Sequence, residues 1–300
     1  MSHDPVDLRA YLQRVPVLRD ADPASAVRLG GLTNRNYRVG ASVLRIPGDG
    51  TSEYIDRAAE AVAARSAAAA DVNAPVEFFD PSDGLMVTRF LPGAVTMDAL
   101  CFARDLGAVA RAGHIIRRLH TAAAPFATDF RLFAKIDEYR ALLASKGATL
   151  PDGYADLARL ADETRRALER AKVSPVPSHC DPLCENFLDL GDRMYLIDYE
   201  YAGNNDPMWD LADLSVEGSF TAEQDKVLLR AYFDGEPSAS DLGRMVALKA
   251  MCDLLWTLWG VIQHVNGNSA EDFWAYAVGR FERCRTLMAG PGYADSVADI

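Results

Sequence analysis

One stretch gathers side chains that could take a proton and hold a divalent cation: His179-Cys180-Asp181-Pro182-Leu183-Cys184-Glu185-Asn186, then Phe187-Leu188-Asp189-Leu190, Gly191-Asp192 and Arg193-Met194-Tyr195-Leu196-Ile197-Asp198. Gly191-Asp192 has the composition of a two-residue hairpin turn. With that turn, residue 190 faces 193, 186 faces 197 and 198 falls opposite 185, so Asn186 and Asp198 meet at the open end of the hairpin. Asp181 stands five residues before Asn186 and can reach the same end. Two carboxylates and an amide oxygen are hard ligands that suit Mg2+. Phosphoryl transfer requires a carboxylate that orients and deprotonates the attacking hydroxyl, and metal ions that neutralise the phosphates. Asp181 fits the first role, Asn186 and Asp198 the second. A lone Asp or Asn in a hairpin is an ordinary turn residue. The His-x-Asp-x4-Asn spacing, followed by a strand ending in Ile-Asp, is what argues for chemistry.

Charge points the same way. The chain carries a formal net charge of -12, which argues against nucleic acid as a partner because phosphate contacts need a basic surface. Residues 1–90 contribute only -2 of it, and residues 181–217 hold ten acidic side chains against the single base Arg193. Metal cations or a cationic substrate would account for that density. Asp206-Pro207 reads as a helix start, which puts Asp210, Asp213 and Glu217 on one face, repelling one another unless a cation sits among them. Trp256 and Trp259 stand three apart in an apolar helix, with Asp253 a turn before and Gln263 a turn after. Paired tryptophans suit a plain core, but an aromatic wall beside carboxylates is also what a quaternary ammonium needs.

These groups need elements to position them. Alternating apolar runs at Val27 to Gly30, Tyr37 to Gly40, Val43 to Ile46, Val76 to Phe79 and Leu85 to Phe90 predict a small antiparallel sheet, interrupted by one Ala-rich helix from Ser52 to Ala70. After Pro92-Gly93 long helical patterns take over, near 98–121, 131–145, 152–172, 221–233, 239–265 and 270–288, with the island Ser178 to Asp198 embedded among them. A hinge near residues 88–93 divides residues 1–91 from 92–300. No lysine precedes Lys135, so a phosphate-side cation on the sheet must be arginine, and Arg45, central in a strand, is the candidate, with Glu60 on the next helix able to orient it. The Gly30-Gly31 loop lets backbone N–H groups approach phosphate, with Thr33 and Asn34 as further donors.

The catalytic-loop spacing resembles the aminoglycoside phosphotransferase and choline kinase superfamily. The run Leu196-Ile197-Asp198-Tyr199-Glu200-Tyr201-Ala202-Gly203-Asn204-Asn205-Asp206-Pro207-Met208-Trp209-Asp210-Leu211-Ala212 is similar to the choline kinase signature, particularly the bacterial one. Gly30 to Tyr37 and Val43 to Gly48 resemble that family's phosphate loop and following strand, so the likeness spans about residues 26–285. It implies an α+β protein-kinase-like two-lobed fold, with a small antiparallel sheet in an N-terminal nucleotide-binding lobe and a mainly helical C-terminal lobe for catalysis and acceptor. It implies ATP and Mg2+, with Thr33, Asn34, Arg45, Glu60 and Phe90 on the nucleotide side. Tyr201, Asp210, Glu217, Trp256, Trp259 and Tyr276, with Phe273 beside the last, fall on the acceptor side. Leu183 and Cys184 depart from the Gln-Glu of eukaryotic choline kinases, so contacts made there do not carry over.

The implied activity is transfer of the γ-phosphate of ATP to choline or a related cationic amino alcohol. Ethanolamine, thiamine or an aminoglycoside are the alternative acceptors, and a catalytically silent binding module would be expected to lose Asp181, Asn186 or Asp198. An amino terminus with Asp4, Asp7 and Arg9 lacks the pattern of a secretory signal, and five cysteines without paired CxxC sets fit reduced thiols, so a cytoplasmic protein is expected. Val246 to Val265 has nearly membrane-spanning length, but Lys249, Asp253 and Gln263 interrupt it and favour a buried helix over insertion.

Overall fold

The computed structural model describes residues 7–30, 34–48, 51 and 55–300. Its first part is a five-stranded antiparallel sheet in the order β1-β2-β3-β5-β4, from β1 (Val27–Arg28), β2 (Arg35–Val39), β3 (Ser42–Ile46), β4 (Val76–Asp80) and β5 (Leu85–Arg89). Period-2 alternation gives the sheet two working faces. Leu44 and Ile46 of β3 and Leu85 and Val87 of β5 pack with Leu12 and Val15 against helix α1 (Leu8–Arg14) and the turn after it. Arg45 and Met86, paired across β3 and β5, point to the opposite face. Arg14 ties α1 to the β4–β5 turn through Asp80 at 2.7 Å and Asp83 at 2.6 Å.

Helix α2 (Arg57–Ala69) covers that opposite face. Its start is set by Asp56, whose carboxylate accepts from the N–H groups of Ala58 and Ala59 at 3.0 Å each, rather than by the expected Ser52, which lies outside the described residues. Alanine at most inward positions lets the helix lie close to the sheet. The chain turns away from the helix at Asp71, which takes a left-handed φ of 58°.

The remainder is mostly helical: α3 (Ala99–Arg104), α4 (Leu106–Ala122), α5 (Leu132–Ser145), α6 (Tyr154–Arg170), α7 (Pro207–Glu217), α8 (Ala222–Phe233), α9 (Ala239–Val265), α10 (Phe273–Ala289) and α11 (Tyr293–Ala298). The single helix expected near 98–121 is two, because Asp105 leaves helical geometry and caps α4 through the N–H of Gly107 at 2.8 Å. Helix α9 is the axis of this half, packed by α5, α7, α10 and α11. Among the described residues it is the one helix long and apolar enough to cross a membrane, and it lies largely buried inside the protein. Short strands fill the waist: β7 (Val176–Ser178) pairs with β10 (Gly203–Asn205), and β6 (Val95–Thr96) joins the hairpin of β8 (Phe187–Asp189) and β9 (Met194–Leu196). The hairpin has the expected register, with Phe187 opposite Leu196 and Leu190 N–H bonded to Arg193 O at 2.9 Å.

Candidate active site

The loop after β7 is bent by force. Cys180 sits at a φ of 67°, a left-handed conformation that costs a non-glycine residue about 1–2 kcal/mol. Asp210, in the first turn of α7 and completely buried, holds it there. Its two oxygens accept from the N–H of His179 at 2.7 Å and of Cys180 at 2.9 Å, and from Nε2 of His120 at 3.0 Å. The indole N–H of the neighbouring Trp209 donates to Cys180 O at 3.1 Å. Burial pushes the Asp210 carboxyl up, but the hydrogen bond and charge of His120, with His179 behind them, bring it below the usual aspartate range. Asp210, expected on the acceptor side, has both carboxylate oxygens engaged with the loop and with His120.

That loop delivers Asp181. Its backbone oxygen accepts from Leu183 N–H at 2.8 Å and from the Asn186 amide nitrogen at 3.1 Å, which leaves the Asn186 amide oxygen as the atom able to meet a metal. Asn186 O accepts from Ile197 N–H at 2.9 Å, and Ile197 O accepts from His179 Nε2 at 2.8 Å, so both sides of the hairpin's open end are fastened together. Asp198 follows with a φ of 72°. Desolvation raises the Asp181 carboxyl well above its ordinary value, and the charges of Asp213, Glu217, Asp198 and Glu200 raise it further.

Opposite the hairpin, Arg45 from β3 pairs with Glu60 of α2, donates to Asp198 Oδ1 at 3.1 Å and reaches Gly84 O at 3.3 Å. The expected strand-to-helix ion pair is thus present, and it extends to Asp198. Two members were not anticipated. Arg57, one helical turn before Glu60, bonds Glu60 at 2.7 Å and Thr51 Oγ1 at 2.5 Å and lies 3.4 Å from Glu200. Glu200 also accepts from the Asn34 amide at 3.2 Å, and Asn34 in turn accepts from Gly48 N–H at 3.3 Å. Burial, then the charge of Asp198, pushes the Glu200 carboxyl up to about 7. The i,i+3 spacing of Arg57 to Glu60 and the i,i+2 spacing of Asp198 to Glu200 were the available signals. Glu60, Asp198 and Glu200 bring carboxylate oxygens within 4.8 Å of one another, an all-oxygen set whose chemistry fits Mg2+. At Phe90 the Arg38 guanidinium stacks 4.2 Å from the ring and the backbone N–H donates to Ala41 O at 2.8 Å. Thr33 falls outside the described residues.

On the acceptor side the aromatic residues do meet. Trp256 and Trp259 stand edge to face at 6.3 Å, Tyr201 packs on Trp256 at 5.9 Å, and Tyr276 and Phe273 pack on Trp259 at 5.7 and 5.5 Å. Tyr201 and Trp256 also line a cavity of about 170 Å3 together with Glu60 and Glu200. Asp213, buried in the next turn of α7, accepts from the Trp256 indole N–H at 3.3 Å and the Cys252 thiol at 2.8 Å. Glu217 is paired with Arg280 of α10, at 2.7 Å from Oε2 to Nη2. The face shared by Asp210, Asp213 and Glu217 therefore splits in three: one carboxylate on the loop, one among the aromatic rings, one on an arginine.

A small antiparallel sheet and its helix over a helical body, with the carboxylate-amide-carboxylate hairpin facing an arginine-glutamate pair, define a protein-kinase-like phosphotransferase. A family model described as the phosphotransferase enzyme family matches residues 26–248, and the chain belongs to that family. Protein LicA of Haemophilus influenzae is 27% identical over 271 residues, covering 87% of this chain and 78% of that protein. The crystal structure of a choline/ethanolamine kinase family protein from Mesorhizobium loti is 51% identical and superposes with a TM-score of 0.91, covering 98% of this chain and 97% of that one. A structure of LicA in complex with AMP is 25% identical with a TM-score of 0.77, covering 96% and 99% of the two chains.

Proposed function

We propose that this protein is an ATP-dependent choline kinase, working with Mg2+ in the cytoplasm. The observation that supports the reading is the hairpin end where the Asn186 amide bonds the Asp181 backbone and Asp198 meets the Arg45–Glu60 pair, a charge arrangement that suits an in-line phosphoryl transfer with Asp181 as base. Residues 1–91 would form the nucleotide lobe and residues 92–300 the catalytic and acceptor lobe. Asn186 and Asp198, with Glu200 beside them, would hold Mg2+, which when bound neutralises the phosphate oxygens. Arg45, aligned by Glu60, grips the phosphates on the sheet side, and Asn34 closes that side. The similarity to the choline/ethanolamine kinase family protein and to LicA with AMP supports both the acceptor class and an adenine nucleotide.

Asp181 acts as base. The acceptor hydroxyl oxygen attacks the γ-phosphorus, the bond from that phosphorus to the β,γ-bridging oxygen breaks, ADP departs, and the hydroxyl proton passes to the Asp181 carboxylate. The acceptor's ammonium rests against Trp256, Trp259, Tyr201 and Tyr276, on the acidic side made by Asp213 and Glu217. Five free thiols, four of them buried, fit a reducing compartment where ATP is abundant. The test is transfer of label from γ-labelled ATP across a panel of choline, ethanolamine, thiamine and an aminoglycoside. Choline is expected to be the best acceptor, and absence of labelled phosphocholine defeats the reading.

A further inference from the structure

Five hydrogen bonds on the nucleotide side close on themselves. Gly48 N–H donates to Asn34 Oδ1 at 3.3 Å, and Asn34 Nδ2 donates to Glu200 Oε2 at 3.2 Å. Arg57 Nη1 reaches that same oxygen at 3.4 Å, while its Nη2 donates to Thr51 Oγ1 at 2.5 Å. The Thr51 hydroxyl completes the ring by donating to Gly48 O at 2.8 Å. Asn34 stands just before β2, Gly48 and Thr51 follow β3, Arg57 opens α2, and Glu200 lies beyond the catalytic hairpin. Glu200 is 166 positions from Asn34 and 143 from Arg57, so the ring fastens the sheet side to the catalytic side.

Arg57 is the hub. Its Nη1 also donates to Glu60 at 2.7 Å, and its stem lies directly against Gly84. The planar fork of an arginine serves three acceptors at once, which the point charge of a lysine cannot do. Both of its terminal nitrogens are taken by protein groups, so Arg57 acts on a nucleotide through them. At the other end of the ring, the two bonds to Glu200 fall on Oε2, which leaves Oε1 as the oxygen able to meet a metal in the set with Glu60 and Asp198. Those three carboxylates face the two guanidiniums of Arg45 and Arg57, and one negative charge is left for a cation.

We propose that Arg57 is a positioning residue of the nucleotide site, which through this ring fixes Glu200 relative to Asn34, Gly48 and Thr51, so that the metal and the nucleotide bind as a coupled pair. The proposal rests on the kinase reading above and adds to it the device that links the two ligands. Arg45, bonded to Glu60 and Asp198, stays outside the ring and is left to the phosphates.

The test is ADP binding by calorimetry, with and without Mg2+, in wild type, Thr51→Val, Asn34→Ala, their double variant and Arg57→Lys; it needs neither turnover nor an acceptor. Thr51→Val and Asn34→Ala open the ring on opposite sides, and these two side chains do not bond each other. In wild type, Mg2+ is expected to tighten ADP about 10-fold or more. Each single opening is expected to weaken MgADP about 10-fold and to cut the Mg2+ effect to about twofold. The double variant should stay within about threefold of either single one, because a ring opened once has no coupling left to lose. Losses that multiply to about 100-fold in the double variant would show two separate contacts and overturn the proposal, as would a Mg2+ effect of wild-type size in Thr51→Val. Arg57→Lys is expected to match Thr51→Val; if it does not fold, the two ring openings, which keep every charge of the cluster, decide the matter. A ring with a purely structural role would lower the melting temperature and leave the Mg2+ effect intact, which refutes the proposal. Wild type that binds ADP without any Mg2+ effect defeats the proposal while the kinase reading stands, whereas wild type that binds no nucleotide defeats both.

Discussion

Asp210→Ala tests how the catalytic loop is held. The substitution leaves three donors without their acceptor: the N–H groups of His179 and Cys180, bonded at 2.7 and 2.9 Å, and His120 Nε2 at 3.0 Å. Each orphaned buried donor costs about 1–3 kcal/mol, and because alanine opens room for a water, roughly 3–6 kcal/mol in total is expected. A chain of 300 residues has an unfolding entropy of about 0.6 kcal/mol/K, so the melting temperature should fall by about 5–10 °C. Activity should fall further than stability implies. Without its clamp, the left-handed φ of 67° at Cys180 relaxes and Asp181 moves with it, and a displacement of about 1 Å at a base costs roughly 100-fold in kcat. The pH dependence follows from the lowered Asp210 carboxyl. A group whose folded pKa is depressed adds stability above its unfolded value near about 4 and loses it as pH falls through the folded value. The melting gap between wild type and Asp210→Asn should accordingly be widest at neutral pH and close as pH drops below about 4. Calorimetric melting and steady-state kinetics read both effects. A loss under about 2 °C with kcat intact would refute the clamp, and a higher KM for choline with kcat preserved would return Asp210 to the acceptor pocket.

Two further predictions concern the sheet-side cluster. Gly84 has a φ of 83°, and a Cβ there would lie 2.6 Å from Cδ and Nε of Arg57, so Gly84→Ala should raise the KM for ATP by dislodging Arg57 while leaving the KM for choline nearly unchanged; equal ATP kinetics in the variant would count against Arg57 as a structural member of the site. Glu60, with a fully buried side chain shared by Arg45 and Arg57, should on substitution to Gln cost about 3–5 kcal/mol by leaving two buried guanidiniums short of charge, seen as a lower urea midpoint together with a higher KM for ATP; an unshifted midpoint would contradict the buried pair.

Local signals in the sequence carried the features that depend on local geometry. The Gly191-Asp192 turn determined the pairing of Asn186 with Ile197, because hairpin register follows from turn length. The lack of an early lysine pointed to Arg45, and strand order placed Glu60 against it. A shared helix face did not by itself give each carboxylate's partner. Asp210, Asp213 and Glu217 do follow helical spacing, yet their partners come from distant segments: His120 on α4, Cys252 on α9 and Arg280 on α10. Periodicity names a face but not what packs on it. Arg57 and Glu200 escaped notice for the same reason, since their mutual approach spans 143 positions and exists only once α2 lies over the hairpin. Helix α1 was hidden in a charged amino-terminal stretch whose Leu12 and Val15 acquire meaning only against the sheet.

The central claim, that Asp181 is the base of a phosphoryl transfer to choline, is tested most directly by single-turnover transfer from γ-labelled ATP in wild type and Asp181→Asn, with nucleotide affinity measured in parallel. The account predicts labelled phosphocholine from wild type, and a rate lower by about 100-fold or more in the variant with ATP affinity within about threefold. Transfer at the wild-type rate by Asp181→Asn would contradict it.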